Sequence, residues 1–306
     1  MRAARLVLCC ASVAWAQCGD DVSTMVDLSR YPIHALDKSA GLAMVEKAQR
    51  ALLETGVASF EGFLRPSFLD CAVQEISPLA LKAFATDALH NAYQLPPNAA
   101  HRPAHVRNAE MRTRVASVAF DELQGTAVRS LYEDVELLDF VKAVTNATTL
   151  HRLADPLGAA TINVFHEGWD HAWHFDEAEF TTTVSLQQAE SGGDFEFSGR
   201  LRNASADMAF ESVAAIVNAR STYDVEPRAA KVPKTAVAPF APGALQIFAG
   251  RYSLHRVSPI AGKTPRLVGV FCFSKEAGFV NSPSVQQMFW GRTLQSPPPH
   301  SPRGDL

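Results

Sequence analysis

Trp173-His174-Phe175-Asp176 stands between two extended runs, Ala160-Thr161-Ile162-Asn163-Val164-Phe165 and Phe180-Thr181-Thr182-Thr183-Val184-Ser185-Leu186, and the fold turns on reading all three as strands of one barrel. Successive strand side chains point to opposite faces. In the third run Phe180, Thr182, Val184 and Leu186 therefore share one face, and Thr181, Thr183 and Ser185 the other, which predicts a sheet with one packed face. Further strands are expected at Asp194-Phe195-Glu196-Phe197, at Ala244-Leu245-Gln246-Ile247-Phe248, at 253–257 and at 266–274. An inserted helix at 208–219 and a loop-rich excursion at 221–242, with four prolines, separate the two groups.

Upstream of 158 the periodicity is helical. Leu42, Val45, Ala48 and Leu52 recur at helix spacing, Pro66-Ser67-Phe68 opens a helix-like stretch reaching Thr86, and Leu137, Phe140, Val141 and Val144 mark another within 132–146. Gly56-Val57-Ala58-Ser59-Phe60 reads as a short strand. The stretch 93–114 is rich in Pro, Asn, His and Arg without a period, so it is expected to be a loop, either a solvated crossing or a lid. The resulting division is a candidate leader at 1–16, a helical supporting region at 17–157, a β core at 158–280 with an insertion at 200–240, and a C-terminal tail at 281–306.

Composition narrows the function. A chain of 306 residues with 47% hydrophobic content can bury one large core, and a net charge of -4 supplies no basic field for phosphate backbones, so nucleic acid is not an expected partner. A small-molecule substrate is expected instead; nothing in the pattern speaks to oligomeric state. Met1-Arg2-Ala3-Ala4-Arg5, an apolar run to Ala14 and Ala14-Trp15-Ala16 have the layout of a secretory signal, or else form an ordinary N-terminus. The chain would follow the secretory route in the first case and stay cytoplasmic in the second. No segment approaches the roughly 20 apolar residues of a membrane span. Cys18, Cys71 and Cys272 are too scattered to suggest a disulfide framework or a metal site. Asn146-Ala147-Thr148 and Asn203-Ala204-Ser205 are glycosylation sequons that matter only on the secretory route. Arg303-Gly304-Asp305, in a proline-rich tail expected to be disordered, matches an adhesion tripeptide by chance.

The chemistry lies in three side chains. His174 and Asp176, two apart, can face one ion, and a curled sheet can bring His255 of Gly250-Arg251-Tyr252-Ser253-Leu254-His255 beside them. Two His and one carboxylate occupy one face of an octahedral Fe(II) and leave three positions for cosubstrate and oxygen. His-x-Asp alone is common; the distant His and a following Arg266 make the set specific. After the turn 258–264 the next strand is expected to run antiparallel to that of His255 and return Arg266 to the metal, where its guanidinium suits a carboxylate.

On Asn163, Trp173-His174-Phe175-Asp176, Gly192-Gly193-Asp194-Phe195, Gly250 through Val257 and Pro265-Arg266, the stretch 155–275 resembles the iron- and 2-oxoglutarate-dependent oxygenases, and around Trp173 and Arg251 the branch containing free-amino-acid halogenases and their hydroxylase relatives. The resemblance implies a mainly β fold with helices: a double-stranded β-helix, or cupin-like jelly roll, braced by N-terminal helices. It implies Fe(II) on His174, Asp176 and His255, 2-oxoglutarate gripped by Arg266 with a hydrogen bond from Asn163, and O2 as oxidant. Some relatives carry a Tyr where this chain has Phe165, so that hydroxyl contact is absent. The halogenases replace the carboxylate ligand with a small residue to admit chloride; retention of Asp176 implies hydroxylation, of an amino acid or related metabolite.

His171 and Glu177 flank the motif and are candidate substrate contacts, or solvated loop residues. Arg251 and Arg256 bracket His255; either could orient an acidic group, though alternation puts Arg256 on the opposite face in a surface ion pair. Trp173 and Phe248 are expected to pack. Rival readings are a protein prolyl or lysyl hydroxylase, a non-catalytic cupin-like metal-binding protein, and a zinc hydrolase, the last of which would not require Arg266.

Overall fold

A computed structural model describes residues 18–204, 206–218 and 233–294. The candidate leader at 1–16, Ser205 of the second sequon, most of the 221–242 excursion and the Arg303-Gly304-Asp305 tripeptide lie outside the described residues.

The chain opens with helix α1 (Val22–Met25), capped by the Asp21 carboxylate, and α2 (Ser39–Thr55). Gly56, at a φ of 90°, ends α2 and turns the chain into strand β1 (Val57–Phe60). Helix α3 (Pro66–Ala80) starts on a proline and buries Phe68, Ala72 and Ile76 on one stripe. It stops short of the Thr86 that apolar spacing predicts, because β2 (Phe84–His90) pairs antiparallel with β3 (Met111–Val118). The last four residues of 93–114 are thus strand rather than loop. The predicted helix at 132–146 is likewise two, α4 (Ala127–Glu133) and α5 (Val135–Val144). Asp134 between them is extended, and its carboxylate accepts from Leu137 N at 2.9 Å.

The β-rich half runs through β4 (His151–Arg152), β5 (Ala160–Phe165), β6 (His171–His174), β7 (Phe180–Gln187), β8 (Ser191–Gly192) and β9 (Phe195–Arg200). It continues through helix α6 (Phe210–Asn218), β10 (Thr235–Ala238), β11 (Leu245–Phe248), β12 (Ser253–Val257), β13 (Ile260–Ala261), β14 (Arg266–Ser274) and helix α7 (Pro283–Trp290). Strand β10 falls inside the stretch expected to be loop, and α7 inside the stretch expected to be a tail.

The strands form a double-stranded β-helix. Its larger sheet is ordered β1-β11-β7-β14-β5-β3-β2, with β4 on β14, and its smaller sheet β10-β9-β12-β6. Strands β1, β2 and β3, from the region expected to be helical support, extend the larger sheet at both edges. Strand β7 is buried on both faces rather than one. Phe180, Val184 and Leu186 join the main core with Phe63, Leu137, Phe140 and Phe271, whereas Thr181 and Thr183 look into the space between the sheets.

Arg266 does not arrive alongside His255. Both edges of β12 are taken by β6 and β9, and both edges of β14 by β5 and β7, so the intervening turn carries the chain from the smaller sheet to the larger one. The guanidinium reaches the site across the sandwich.

Two of the scattered cysteines do pair: Cys18 is bridged to Cys71, tying the N-terminal segment to α3 and leaving Cys272 free. Asn146 is exposed just past α5. No described helix is long and apolar enough to cross a membrane.

Candidate metal centre

Register in the smaller sheet sets His255 of β12 opposite His174 of β6, with ring centroids 4.2 Å apart. Each Nδ1 donates to the backbone carbonyl two residues earlier, His174 to Ala172 O at 2.8 Å and His255 to Ser253 O at 2.9 Å. A carbonyl can only accept, so the proton sits on Nδ1 and Nε2 keeps its lone pair for an ion. Asp176, just past β6, places Oδ1 3.4 Å from His174 Nε2 and 3.3 Å from His255 Nε2. Its Oδ2 accepts from Thr181 Oγ1 at 2.5 Å, and its amide donates to Gly250 O at 3.1 Å. A Cβ on Gly250 would lie 2.0 Å from Asp176 Oδ2, which gives the glycine before Arg251 a steric reason.

The electrostatics are those of a cation site. Burial alone would raise the Asp176 carboxyl, but the His255 charge and the two histidine contacts outweigh it and hold the group well below the usual carboxylate range. Burial lowers His174, as does the neighbouring His255; in His255 the Asp176 carboxylate overcomes burial and raises it. Two imidazole nitrogens and one carboxylate oxygen, all within 4.8 Å of one another, fit a divalent first-row metal with open positions. The other cluster of suitable residues within coordination reach, among the described residues, has its sulfurs consumed in the Cys18–Cys71 bridge.

On one side of the ligand set lies a cavity of about 80 Å³ that ends at Arg266. The guanidinium is buried between the rings of Phe165 and Phe240, at 5.4 and 5.5 Å, and has no ion pair among the described residues; burial draws it down to about 10 despite the distant Asp194. A buried cation without a counterion is unfavourable, so this end of the cavity is suited to a carboxylate. Phe165 thus has a ring role under the guanidinium. Gly193, at a φ of 74°, makes the room, since a Cβ there would sit 2.7 Å from Arg266 Cδ. Asn163 lines the cavity with its Oδ1 accepting from Ser117 Oγ at 3.1 Å. Thr183 is an addition: its buried hydroxyl has no partner and shares the cavity with Arg266. Its position two residues after Thr181, on the polar face of β7, is the signal that could have found it.

A second cavity, of about 100 Å³, opens on the other side of His174 and Asp176. His171 is not a solvated loop residue; it is buried in β6 and stacks on His174 with centroids 3.8 Å apart, its Nε2 unpartnered. Glu177 is not free to grip a ligand. Its carboxylate accepts from Ser282 N at 2.8 Å and Ser282 Oγ at 2.7 Å, latching the N-cap of α7, and its carbonyl accepts from Arg251. Arg256 pairs with Glu196 at 2.7 Å, Trp173 is buried beside Phe175 and Tyr93, and Phe248 packs its ring against His255.

Behind β6 stands a support the sequence does not announce. Thr113 Oγ1 accepts from Ala172 N at 3.0 Å and donates to His90 Nε2 at 2.6 Å, while His90 Nδ1 donates to Asn91 O. The loop after β2 starts by covering the metal strand: Phe175 N donates to Ala92 O, and Gln94 Nε2 donates to Phe175 O at 3.0 Å. Its middle is exposed.

The family profile described as Halogenase D matches residues 43–289. No curated protein matches the chain in sequence. Among solved structures the chain is similar to the non-heme alpha ketoglutarate dependent epimerase SnoN from nogalamycin biosynthesis, with a TM-score of 0.53 and 13% identity over 76% of this chain and 84% of that one. It is similar to the carbocyclase SnoK of the same biosynthesis, with a TM-score of 0.51 and 13% identity over 74% and 83%. A 2OG-Fe(II) oxygenase family oxidoreductase from Burkholderia pseudomallei gives a TM-score of 0.45 at 13% identity over 76% and 91%. At such identities the likeness is one of fold.

Proposed function

The chain belongs to the Halogenase D family, among the iron(II)- and 2-oxoglutarate-dependent oxygenases, and on that premise we propose that it hydroxylates a small molecule, an amino acid or related metabolite. The observation that carries this reading is Asp176. It fills the position that halogenases leave open for chloride, and Thr181 and the bare Cα of Gly250 hold it there.

In this proposal His174, Asp176 and His255 hold Fe(II), and Arg266, with Asn163 and Thr183, holds 2-oxoglutarate. The bound iron, cosubstrate and O2 supply oxidation of a C–H bond coupled to conversion of 2-oxoglutarate to succinate and CO2. The chain's own part is placement. Arg266 pairs with the cosubstrate's distal carboxylate, while Phe165, Phe195, Phe240 and Phe248 keep water from that cavity. The carbonyls of Ala172 and Ser253 hold the Nδ1 protons and so aim both Nε2 lone pairs at the metal position. His171 faces the substrate side, and Glu177 acts through α7 rather than by touching substrate. A cavity of about 100 Å³ walled by α7 leaves room for a compact molecule rather than a protein segment.

Anaerobic titration with Fe(II) and 2-oxoglutarate is expected to give a metal-to-cosubstrate absorption band that His255→Ala abolishes and Asp176→Ala weakens and shifts, followed by succinate release in air. No band in the wild type, or an unchanged band in both variants, overturns the site. Chlorinated product in chloride buffer overturns hydroxylation.

A further inference from the structure

The two oxygens of the Asp176 carboxylate are held differently. Oδ1 faces the histidines, 3.4 Å from His174 Nε2 and 3.3 Å from His255 Nε2. Oδ2 lies 2.5 Å from Thr181 Oγ1 and fills the room beside Gly250, where a Cβ would stand 2.0 Å from it. An ionised carboxylate can only accept, so the Thr181 hydroxyl spends its single proton on Oδ2. The separation is that of a short, charge-assisted O–H···O⁻ bond.

The donor is fixed by its place in the fold. Thr181 is 2% exposed and sits near the start of β7, inside the larger sheet, with Phe248 of β11 on one edge and Cys272 of β14 on the other. A β-branched side chain there has few rotamers to choose from. Both histidines come from the smaller sheet, so the carboxylate is gripped from across the sandwich by a strand that carries no metal ligand. Thr181 also lines the cosubstrate cavity, but a hydroxyl whose proton is already committed has only lone pairs to show an anionic guest.

What this grip decides is the number of free positions on the ion. Two imidazoles and one carboxylate oxygen leave three of an octahedron open. A 2-oxo acid that chelates through its keto oxygen and the adjacent carboxylate fills two, and the third is left for O2. A carboxylate free to turn could present both of its oxygens and close that third position. We infer that Thr181 is a positioning residue that holds Asp176 to a single metal-facing oxygen and so keeps one position open once cosubstrate is bound. This rests on the iron and 2-oxoglutarate reading and deepens it.

Nitric oxide, which binds Fe(II) in place of O2 and gives a paramagnetic adduct, reads that position without turnover. The protein is loaded anaerobically with saturating Fe(II) and titrated with nitric oxide, with and without saturating 2-oxoglutarate, and the adduct is followed by electron paramagnetic resonance. Thr181→Val keeps the shape and removes the hydroxyl; Thr181→Ser keeps the hydroxyl. With 2-oxoglutarate bound, nitric oxide affinity is expected to fall about tenfold in Thr181→Val and to stay at the wild-type value in Thr181→Ser. Without cosubstrate, where a two-oxygen carboxylate still leaves positions free, all three proteins should bind nitric oxide alike. The 2-oxoglutarate dissociation constant, read from the absorption band, should be unchanged in both variants. Equal nitric oxide affinity in the wild type and Thr181→Val with cosubstrate bound, the same loss in Thr181→Ser, or failure of Thr181→Val to take up Fe(II) overturns the inference. So does weaker 2-oxoglutarate binding in Thr181→Val alone, which would make the hydroxyl a cosubstrate contact. Absence of the band from the wild type would instead strike the iron reading, so the two failures are told apart.

Discussion

A guanidinium enclosed by Phe165 and Phe240, with no carboxylate in reach among the described residues, is left for a ligand to pair with, and this makes Arg266 the sharpest test of the cosubstrate side. Arg266→Gln keeps hydrogen-bonding capacity but loses the charge and the two-pronged geometry. It is expected to weaken 2-oxoglutarate binding about 100-fold, read from the titrated absorption band, while Fe(II) stoichiometry stays at one. The complementary change is Gly250→Ala. Its methyl would meet Asp176 Oδ2, so Fe(II) retention after gel filtration should fall about tenfold or more with the fold intact by circular dichroism. Unchanged retention would mean that Gly250 does not set the carboxylate. At this scale the sequence is readable where partners are neighbours along a strand, as with His174 and Asp176. Glu177 misleads because its partner, Ser282, is on a helix more than a hundred residues away.

Among the elements, α7 and the β2–β3 hairpin are those that local pattern misses, and both owe their form to distant groups. Pro283–Trp290 is short and half polar, and it becomes a helix beside the metal because Ser282 caps it and Glu177 anchors that cap. Ser282→Ala removes the Oγ contacts with Glu177, Ser284 and the Val285 amide. It is expected to cost about 1–2 kcal/mol in a urea melt and to loosen substrate binding with little change in 2-oxoglutarate affinity. Phe84–His90 carries alanine and leucine at spacings a helix would accept, and only the ladder with β3 makes it a strand. That strand delivers His90, whose pKa burial draws down from 6.5 to about 4, with His174 nearby adding to the effect. The sign follows from linkage. Between these values the unfolded chain takes up a proton that the folded chain refuses, so the contribution is fully present above about 6.5 and is lost as pH falls toward 4. The loss should approach about 3 kcal/mol. Urea midpoints measured from pH 7 to 4 should decline in the wild type and decline less in His90→Gln; equal slopes would remove His90 as the cause. A cation held by His174 would stand in for its proton and act on His90 in the same direction.

Across the whole molecule the ligand set and the barrel are legible for one reason, and the bridge is illegible for another. Strand alternation and a handful of glycines encode which residues face inward, so His174, Asp176, His255 and Arg266 can be read together; that β12 and β14 lie in opposite sheets depends on pairings no local pattern carries. Cys18 and Cys71 are separated by 53 positions with no motif between them, and only packing of the N-terminal segment on α3 brings their Cα atoms to 5.8 Å. A bridge of that span restricts the unfolded chain by about 4 kcal/mol in the loop-closure picture, and such bonds persist in oxidising compartments, the condition the secretory reading of 1–16 requires. The cross-link joins α3 to the first described residues and touches none of the metal ligands. Cys71→Ser, or reduction of the wild type, should therefore lower stability by about 2–4 kcal/mol in urea while leaving the Fe(II) and 2-oxoglutarate band intact in native buffer. Alkylation of the unfolded, unreduced chain from residue 18 onward should label Cys272 alone. Labelling of all three thiols, or a urea midpoint indifferent to reductant, would show that the N-terminal segment is held to α3 by packing and not by a covalent bond.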